Sequence, residues 1–217
     1  MPNPDCDHCL HAPAATPRPL VLTGLVVWAM ANGGGFLWLL SASATPGATS
    51  VREPTWPRDS QIVPDPARAN LVVLVHPRCP CSRASIVELS EIMARCEGLV
   101  TAHVLFLKPS SMPDGWEVTD LWHRAASIPG ARVRTDAEGR EARRFGALTS
   151  GQVVLYDRNG LLKFSGGITI ARGHRGENAG HQAIVDWLTH GTAERSSEVV
   201  FGCPLFSDRD LAGEVKR

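Results

Sequence analysis

Between Leu20 and Leu40 the chain carries no charged side chain. A run of this length matches the ~20 residues that a bilayer's hydrocarbon core requires, and it divides the chain before any finer pattern is considered. Asn32 and the triplet Gly33-Gly34-Gly35 fall inside it. These residues weaken a helix in water but are tolerated in one surrounded by lipid. Trp38 lies near the expected interface. The sequence therefore predicts a membrane-spanning helix over 20–40. The rival reading is a cleaved signal peptide, because Ala42-Ser43-Ala44 has the small-x-small form of a cleavage site; the apolar run exceeds the ~7–15 residues of a usual signal core, which favours an uncleaved anchor. Arg18 flanks one end closely, and the other stays uncharged until Arg52. Positive-inside bias then leaves 1–19 as a cytoplasmic tail and places the rest of the chain outside, where disulfides form.

The 217 residues carry 22 Lys+Arg against 22 Asp+Glu. No net field draws this chain to nucleic acid, so no such partner is expected. Residues 41–69 are rich in Pro, Ser, Thr and Ala without a hydrophobic period, and read as a semi-extended tether. From residue 70 to 190 strand and helix signals alternate in one domain, and 191–217 is a tail.

The domain opens on Leu71-Val72-Val73-Leu74-Val75, apolar throughout as in a central strand covered on both faces. There follows His76-Pro77-Arg78-Cys79-Pro80-Cys81-Ser82-Arg83, then a helix with Ile86, Leu89, Met93 and Cys96 on one stripe and Gly98 as its stop. Two thiols thus stand where a strand hands over to a helix. Unpaired N–H groups and the positive end of the helix dipole favour thiolate there, and Arg78 and Arg83 add charge beside it. Pro80 suits the first helical position, which makes Cys79 the expected N-cap. His76 is either a proton shuttle or a turn residue before Pro77. Cys96, on the apolar stripe, reads as an inert packing thiol.

Further expected elements are a strand over 100–107, a helix over 116–126, a short edge strand over 132–134, and a helix to Phe145 capped by Asp136. Next come strands 152–156 and 161–164 joined through Asp157-Arg158-Asn159-Gly160, a strong hairpin signal. A helix over 181–188 closes the domain. In the tail, Val199 to Phe206 is too apolar to float free and is expected to dock back on the domain, taking Cys203 with it.

This order of elements resembles the thioredoxin-like fold, and 141–167 resembles the membrane-tethered bacterial thioredoxins of the TlpA and ResA type. The cysteine signature is similar to that of the RedB-type group of membrane-anchored thioredoxin-like proteins. The resemblance implies an α/β, three-layer domain, a central mixed sheet flanked by helices, preceded by one transmembrane helix. It also implies thiol–disulfide chemistry at Cys79. Two departures stand out. The family's Cys-x-x-Cys is here Cys79-Pro80-Cys81-Ser82, and its cis-proline before the late strand is replaced by Thr149, Ser150 and Gly151. Copper-delivering proteins on this fold place a His just before that strand, where Thr149 and Ser150 stand here.

The leading expectation is an extracytoplasmic, membrane-anchored thiol–disulfide oxidoreductase acting on protein thiols or disulfides without a cofactor, with Cys79 and Cys81 as the reacting thiols. The alternative is copper binding or delivery by the same thiols, with Cys203 or His174 completing the site. A redox-inert scaffold is the third reading. His174 and His181 otherwise read as solvated loop histidines. The Cys6-His8-Cys9-His11 cluster offers metal-ligand spacing in a tail with no packed scaffold around it. A local Cys79–Cys81 bridge is the preferred disulfide, although it requires the first helical turn to open; pairing with Cys203 is the other route.

Overall fold

The computed structural model describes residues 18–49 and 53–207, so the Cys6–His11 cluster lies outside the described residues. The chain divides into two units, one ending at Ala42 and the other beginning at Ser43. The first holds α1 (Arg18–Ser43), the one described helix long and apolar enough to cross a membrane. Its polar residues satisfy themselves locally: Thr23 Oγ1 donates to Pro19 O at 2.9 Å and Asn32 Nδ2 to Trp28 O at 2.7 Å. Folding the amide back on the preceding turn satisfies one of its donors within the helix, which is how Asn32 fits an apolar helix.

The second unit contains β1 (Ala69–Val75), α2 (Ser82–Arg95), β2 (Val100–Lys108), α3 (Asp120–Ala126), β3 (Ala131–Ala137), α4 (Arg140–Arg144), β4 (Gln152–Tyr156), β5 (Leu162–Gly166) and α5 (Ala179–His190). The sheet order is β3-β2-β1-β4-β5, with β1, β2 and β3 parallel and β4 and β5 antiparallel to their neighbours. β1 is central and buried along its whole length. Its side chains alternate between two cores as strand period demands. Leu71, Val73 and Val75 face Ile86, Leu89 and Ile92 of α2 and Ile184 of α5, whereas Val72 and Leu74 face Phe145, Tyr156 and Ile62. The result is the three-layer α/β arrangement that the resemblance implies.

Several boundaries differ from the sequence reading, each for a local reason. The helix expected from Trp116 begins at Asp120, because 113–118 is spent in turns closed by Trp116 N–Pro113 O and Val118 N–Gly115 O hydrogen bonds. Asp136 does not stand at the N-cap of α4; it ends β3, and its carboxylate accepts from the N–H groups of Glu141 and Ala142, both at 2.9 Å. The cap position itself is Gly139, in the left-handed region at φ 65°. Residues 54–62 pack on the domain instead of spanning free as a tether. Trp56 meets Phe145 and Tyr156 edge-on at 5.0 and 5.3 Å, Ile62 is buried, and Leu162 N donates to Pro54 O.

The tail docks as its apolar character requires. Val200, Leu205 and Phe206 are buried, and Phe206 lies under the Arg143 guanidinium at 3.8 Å. Backbone hydrogen bonds run from Gly167 N to Val199 O, from Ser150 N to Cys203 O and from Leu205 N to Leu148 O, at 3.2, 2.8 and 2.8 Å. Glycines permit this approach: a Cβ on Gly166 or Gly167 would run into the backbone of Glu198 or Val199, and one on Gly202 into Ser150 O. Cys203 is therefore held between buried anchors on both sides.

Candidate functional site: a three-thiol cluster

Cys79 sits in the turn between β1 and α2. Hydrogen bonds from Ser82 N to Cys79 O, Arg83 N to Pro80 O and Ala84 N to Cys81 O, each from i to i−3, wind this turn tightly into the helix. The residue at the N-cap is Cys81, not the expected Cys79, and Cys81 makes no side-chain cap. The correction follows from Pro80: it starts the tight turn, and the regular helix begins only after it.

The docked tail brings Cys203 Sγ to 2.9 Å from Cys79 Sγ. The Sγ atoms of Cys79, Cys81 and Cys203 all lie within 4.8 Å of one another. Cys79 is 2% exposed, and the other two are half-buried. All four described cysteines are unbridged, and Cys96 is buried in the core beneath α2, the place of a packing thiol.

Electrostatics separate the three thiols. Burial pushes the Cys79 thiol up, but hydrogen bonds from the side chains and backbone N–H groups of Cys203 and Ser82 outweigh it and hold Cys79 below the ordinary cysteine value. Cys203 moves the other way, to about 12, through burial, through the proton it shares with Cys79, and through the charges of Cys79 and Cys81, against the pull of Arg172. Cys81 is raised by burial and by the charge of Cys79, with Arg172 again opposing. Cys79 is thus the most acidic of the three thiols, and Cys81 and Cys203 the less acidic pair.

Arg78 and Arg83 are not among the groups that lower Cys79. Arg83 Nη1 lies 2.6 Å from Asp120 Oδ2, and the Arg78 guanidinium stacks 5.2 Å from the Trp116 ring centroid. Burial, and then the nearby Arg78 charge, lower His76 below the ordinary imidazole value, and its Nδ1 accepts the Arg78 N–H at 3.2 Å. That bond is the turn role weighed from the sequence.

Thr149, Ser150 and Gly151 do border the cluster. Ser150 Oγ accepts from His76 N and shares a proton with Ser82 Oγ, both at 2.7 Å, while its N–H holds Cys203 O. Thr149 pairs as an isolated antiparallel bridge with Pro204 and donates to Ala48 O. Gly151 has φ +89°, and its N–H donates to Leu74 O at 2.7 Å. The 149–151 loop thus binds the tail directly to the mouth of the cysteine turn.

His174 stands outside the group of neighbouring ligand atoms; it is exposed, with Nδ1 2.8 Å from Arg172 O. His181 is not solvated: it is buried at the start of α5, with Nδ1 2.7 Å from Glu88 Oε2. Two contributors escaped the sequence reading. Ser82 was legible in principle, since a hydroxyl three residues after Cys79 in a helical turn reaches back to it. Arg172, whose Nη1 donates to Gly202 O and whose charge bears on Cys81 and Cys203, had no sequence signal, because the loop that carries it meets the tail only in three dimensions.

No protein-family model matches the chain, and no curated protein does. Solved structures do. A hypothetical protein, SMc02350 of Sinorhizobium meliloti 1021, is similar at 19% identity and a TM-score of 0.55 over 73% of this chain and 97% of its own. An uncharacterized conserved protein of Geobacillus kaustophilus is similar at 15% identity and a TM-score of 0.54, over 76% and 90%. The pneumococcal exposed lipoprotein thioredoxin Etrx1 of Streptococcus pneumoniae follows at 15% identity and 0.41, over 56% and 84%. The central β1 ending at a cysteine turn, its parallel neighbour β2, and the antiparallel β4–β5 hairpin on its other side give this domain the thioredoxin-like fold.

Proposed function

We propose that the chain is a membrane-anchored, extracytoplasmic thiol–disulfide oxidoreductase whose working pair is Cys79 and Cys203. The observation that carries this reading is the 2.9 Å contact of the two sulfurs, with the Cys79 thiol the more acidic of the pair. The anchor in this reading is α1, and Arg18 at its start supports a domain outside the cytoplasm through the positive-inside bias.

Exposure and acidity together give the disulfide form a direction. A partner thiolate, R–S⁻, meets the half-buried Cys203 before the buried Cys79. Attack forms Cys203–S–S–R and releases Cys79 as thiolate, the better leaving group because its thiol is the more acidic. The partner's second thiolate then attacks the R sulfur; R–S–S–R forms, and Cys203 leaves and takes a proton. The cradle of donors around the Cys79 thiolate stabilises the reduced form, which makes the disulfide an oxidant of protein thiols.

Peptide mapping of the full chain after oxidation by oxidised glutathione tests the pairing. A Cys79–Cys203 cross-linked peptide is expected, and Cys79→Ser should abolish transfer to a reduced protein substrate. A disulfide closed between Cys79 and Cys81 alone would overturn the assignment of Cys203.

A second reading draws on the same trio. Three soft thiolate ligands within 4.8 Å of one another suit Cu(I) better than they suit hard cations. Copper binding predicts one Cu(I) per chain against a chelating competitor, lost in Cys203→Ser; no retention above that variant's would sink it.

A further inference from the structure

The burial of Cys79 raises the question of which oxidant makes the Cys79–Cys203 disulfide. A residue that is 2% exposed is closed to a folded protein's disulfide while the tail is docked, and the tail is anchored on both sides of Cys203 by Val200, Leu205 and Phe206. Cys79 does line one opening. It is part of the wall of a cleft of about 380 Å³ together with Pro77, Arg78, Pro80, Arg83, Thr119, Asp120 and Leu121. Two guanidinium groups line this cleft, and Arg83 is steadied there by Asp120.

We propose that the cleft admits a hydroperoxide, which oxidises Cys79 and so recharges the Cys79–Cys203 disulfide. The inference rests on the pairing of Cys79 with Cys203 proposed above. The Cys79 thiolate attacks the terminal oxygen of ROOH; the S–O bond forms, the O–O bond breaks, and RO⁻ takes a proton to leave as ROH. This gives Cys79–SOH. The Cys203 sulfur, already in contact, then attacks the Cys79 sulfur. The S–O bond breaks, the hydroxyl leaves as water with the Cys203 proton, and the disulfide is complete. Negative charge develops on the departing RO⁻, where a guanidinium in the cleft stabilises it. Passing the disulfide to a partner dithiol closes the cycle: two thiols and one hydroperoxide yield one disulfide, one alcohol and one water.

The reduced full chain, purified in detergent, is mixed anaerobically with hydrogen peroxide at pH 7. A free cysteine is only a few per cent thiolate at this pH, so complete ionisation by itself accelerates the reaction no more than about 30-fold. We expect at least about 100-fold over free cysteine, because the cleft also acts on the leaving oxygen. The wild-type product should map as Cys79–Cys203, and Cys203→Ser should accumulate a sulfenic acid on Cys79 that dimedone traps. Arg83→Met should slow the peroxide reaction about tenfold, less than the ~10²–10³ lost with a dedicated oxyanion donor because Asp120 already pairs with this guanidinium, and leave alkylation by iodoacetamide within about twofold. A peroxide rate at or below the ionisation limit overturns the hydroperoxide assignment, as does an Arg83→Met effect equal on both reagents. If oxidised glutathione still yields the Cys79–Cys203 peptide, the oxidoreductase reading survives that failure; if neither oxidant yields it, the reading beneath falls as well.

Discussion

At the scale of single residues, the site is a ranking of three thiols by acidity, set by the hydroxyl and thiol groups around them. Ser82 contributes twice to the Cys79 thiolate, through its side chain and its N–H, and Ser150 holds the Ser82 hydroxyl at 2.7 Å. Ser82→Ala removes the side-chain donor and leaves a buried sulfur less well solvated. Its pH profile of Cys79 alkylation should shift to higher pH, with slower labelling at pH 7; an unchanged midpoint would leave Cys203 as the donor that lowers Cys79. His103 tells a separate story on the far side of the sheet. It is fully buried with Nε2 3.1 Å from Asn70 Oδ1, and burial, with the charges of Arg132 and Arg134, lowers it to about 4. The sign follows from proton linkage: between the ordinary value near 6.5 and about 4 the unfolded chain binds the proton and the folded chain does not, so stability falls as pH drops through that window. Denaturant unfolding of His103→Gln should lose this part of the acid sensitivity.

At the scale of elements, the tail behaves as an added edge of the domain. It is an irregular segment whose hydrogen bonds go to the 148–150 loop and the end of β5, fixed by three buried side chains. Its weak point is glycine. Gly202 lies so close to Ser150 O that a methyl group there forces the backbones apart. Gly202→Ala should cost about 1–3 kcal/mol by overpacking and should move Cys203 off Cys79. Unfolding of the variant checks the first, and the yield of the Cys79–Cys203 peptide under oxidation checks the second; full yield would mean that the tail tolerates the shift.

At the scale of the whole molecule, oxidation ties the last part of the chain to its centre. A bridge between residues 79 and 203 closes a loop of more than 100 residues, for which loop-closure entropy sets a stabilisation of about 4–5 kcal/mol in the absence of strain. The donors that stabilise Cys79 in the reduced form offset part of this gain, so the oxidised protein should melt above the reduced one by less than the loop-closure term alone implies, and Cys203→Ser should erase the difference. A bridge confined to Cys79 and Cys81 would leave the two forms nearly equal. The same scale holds the anchoring test. A reporter that works only outside the cytoplasm, fused after Arg217, should be active, and removal of α1 should release the chain from the membrane fraction. A silent reporter, with a cytoplasmic one active in its place, would reverse the topology.

The sequence by itself determined the elements whose signals are local. A continuous apolar run marked β1, the Asp157-Arg158-Asn159-Gly160 turn marked the β4–β5 hairpin, and period-3.6 stripes marked α2 and α5, because each must bury one face or both against its neighbours whatever those neighbours are. The absence of charge from Leu20 to Leu40 marked the apolar helix in the same way, and the passage from an apolar strand through two cysteines to a helix marked the reactive turn. Tertiary structure alone decided which thiol meets Cys79. Cys203 lies 124 positions away along the chain, and its approach depends on glycines that let two backbones touch and on pockets that receive Val200, Leu205 and Phe206. Neither close approach nor pocket shape leaves a periodic mark in a sequence. The influence of Arg172 was hidden for the same reason: it depends on where a distant segment lies, and such distances are set by packing, not by propensity.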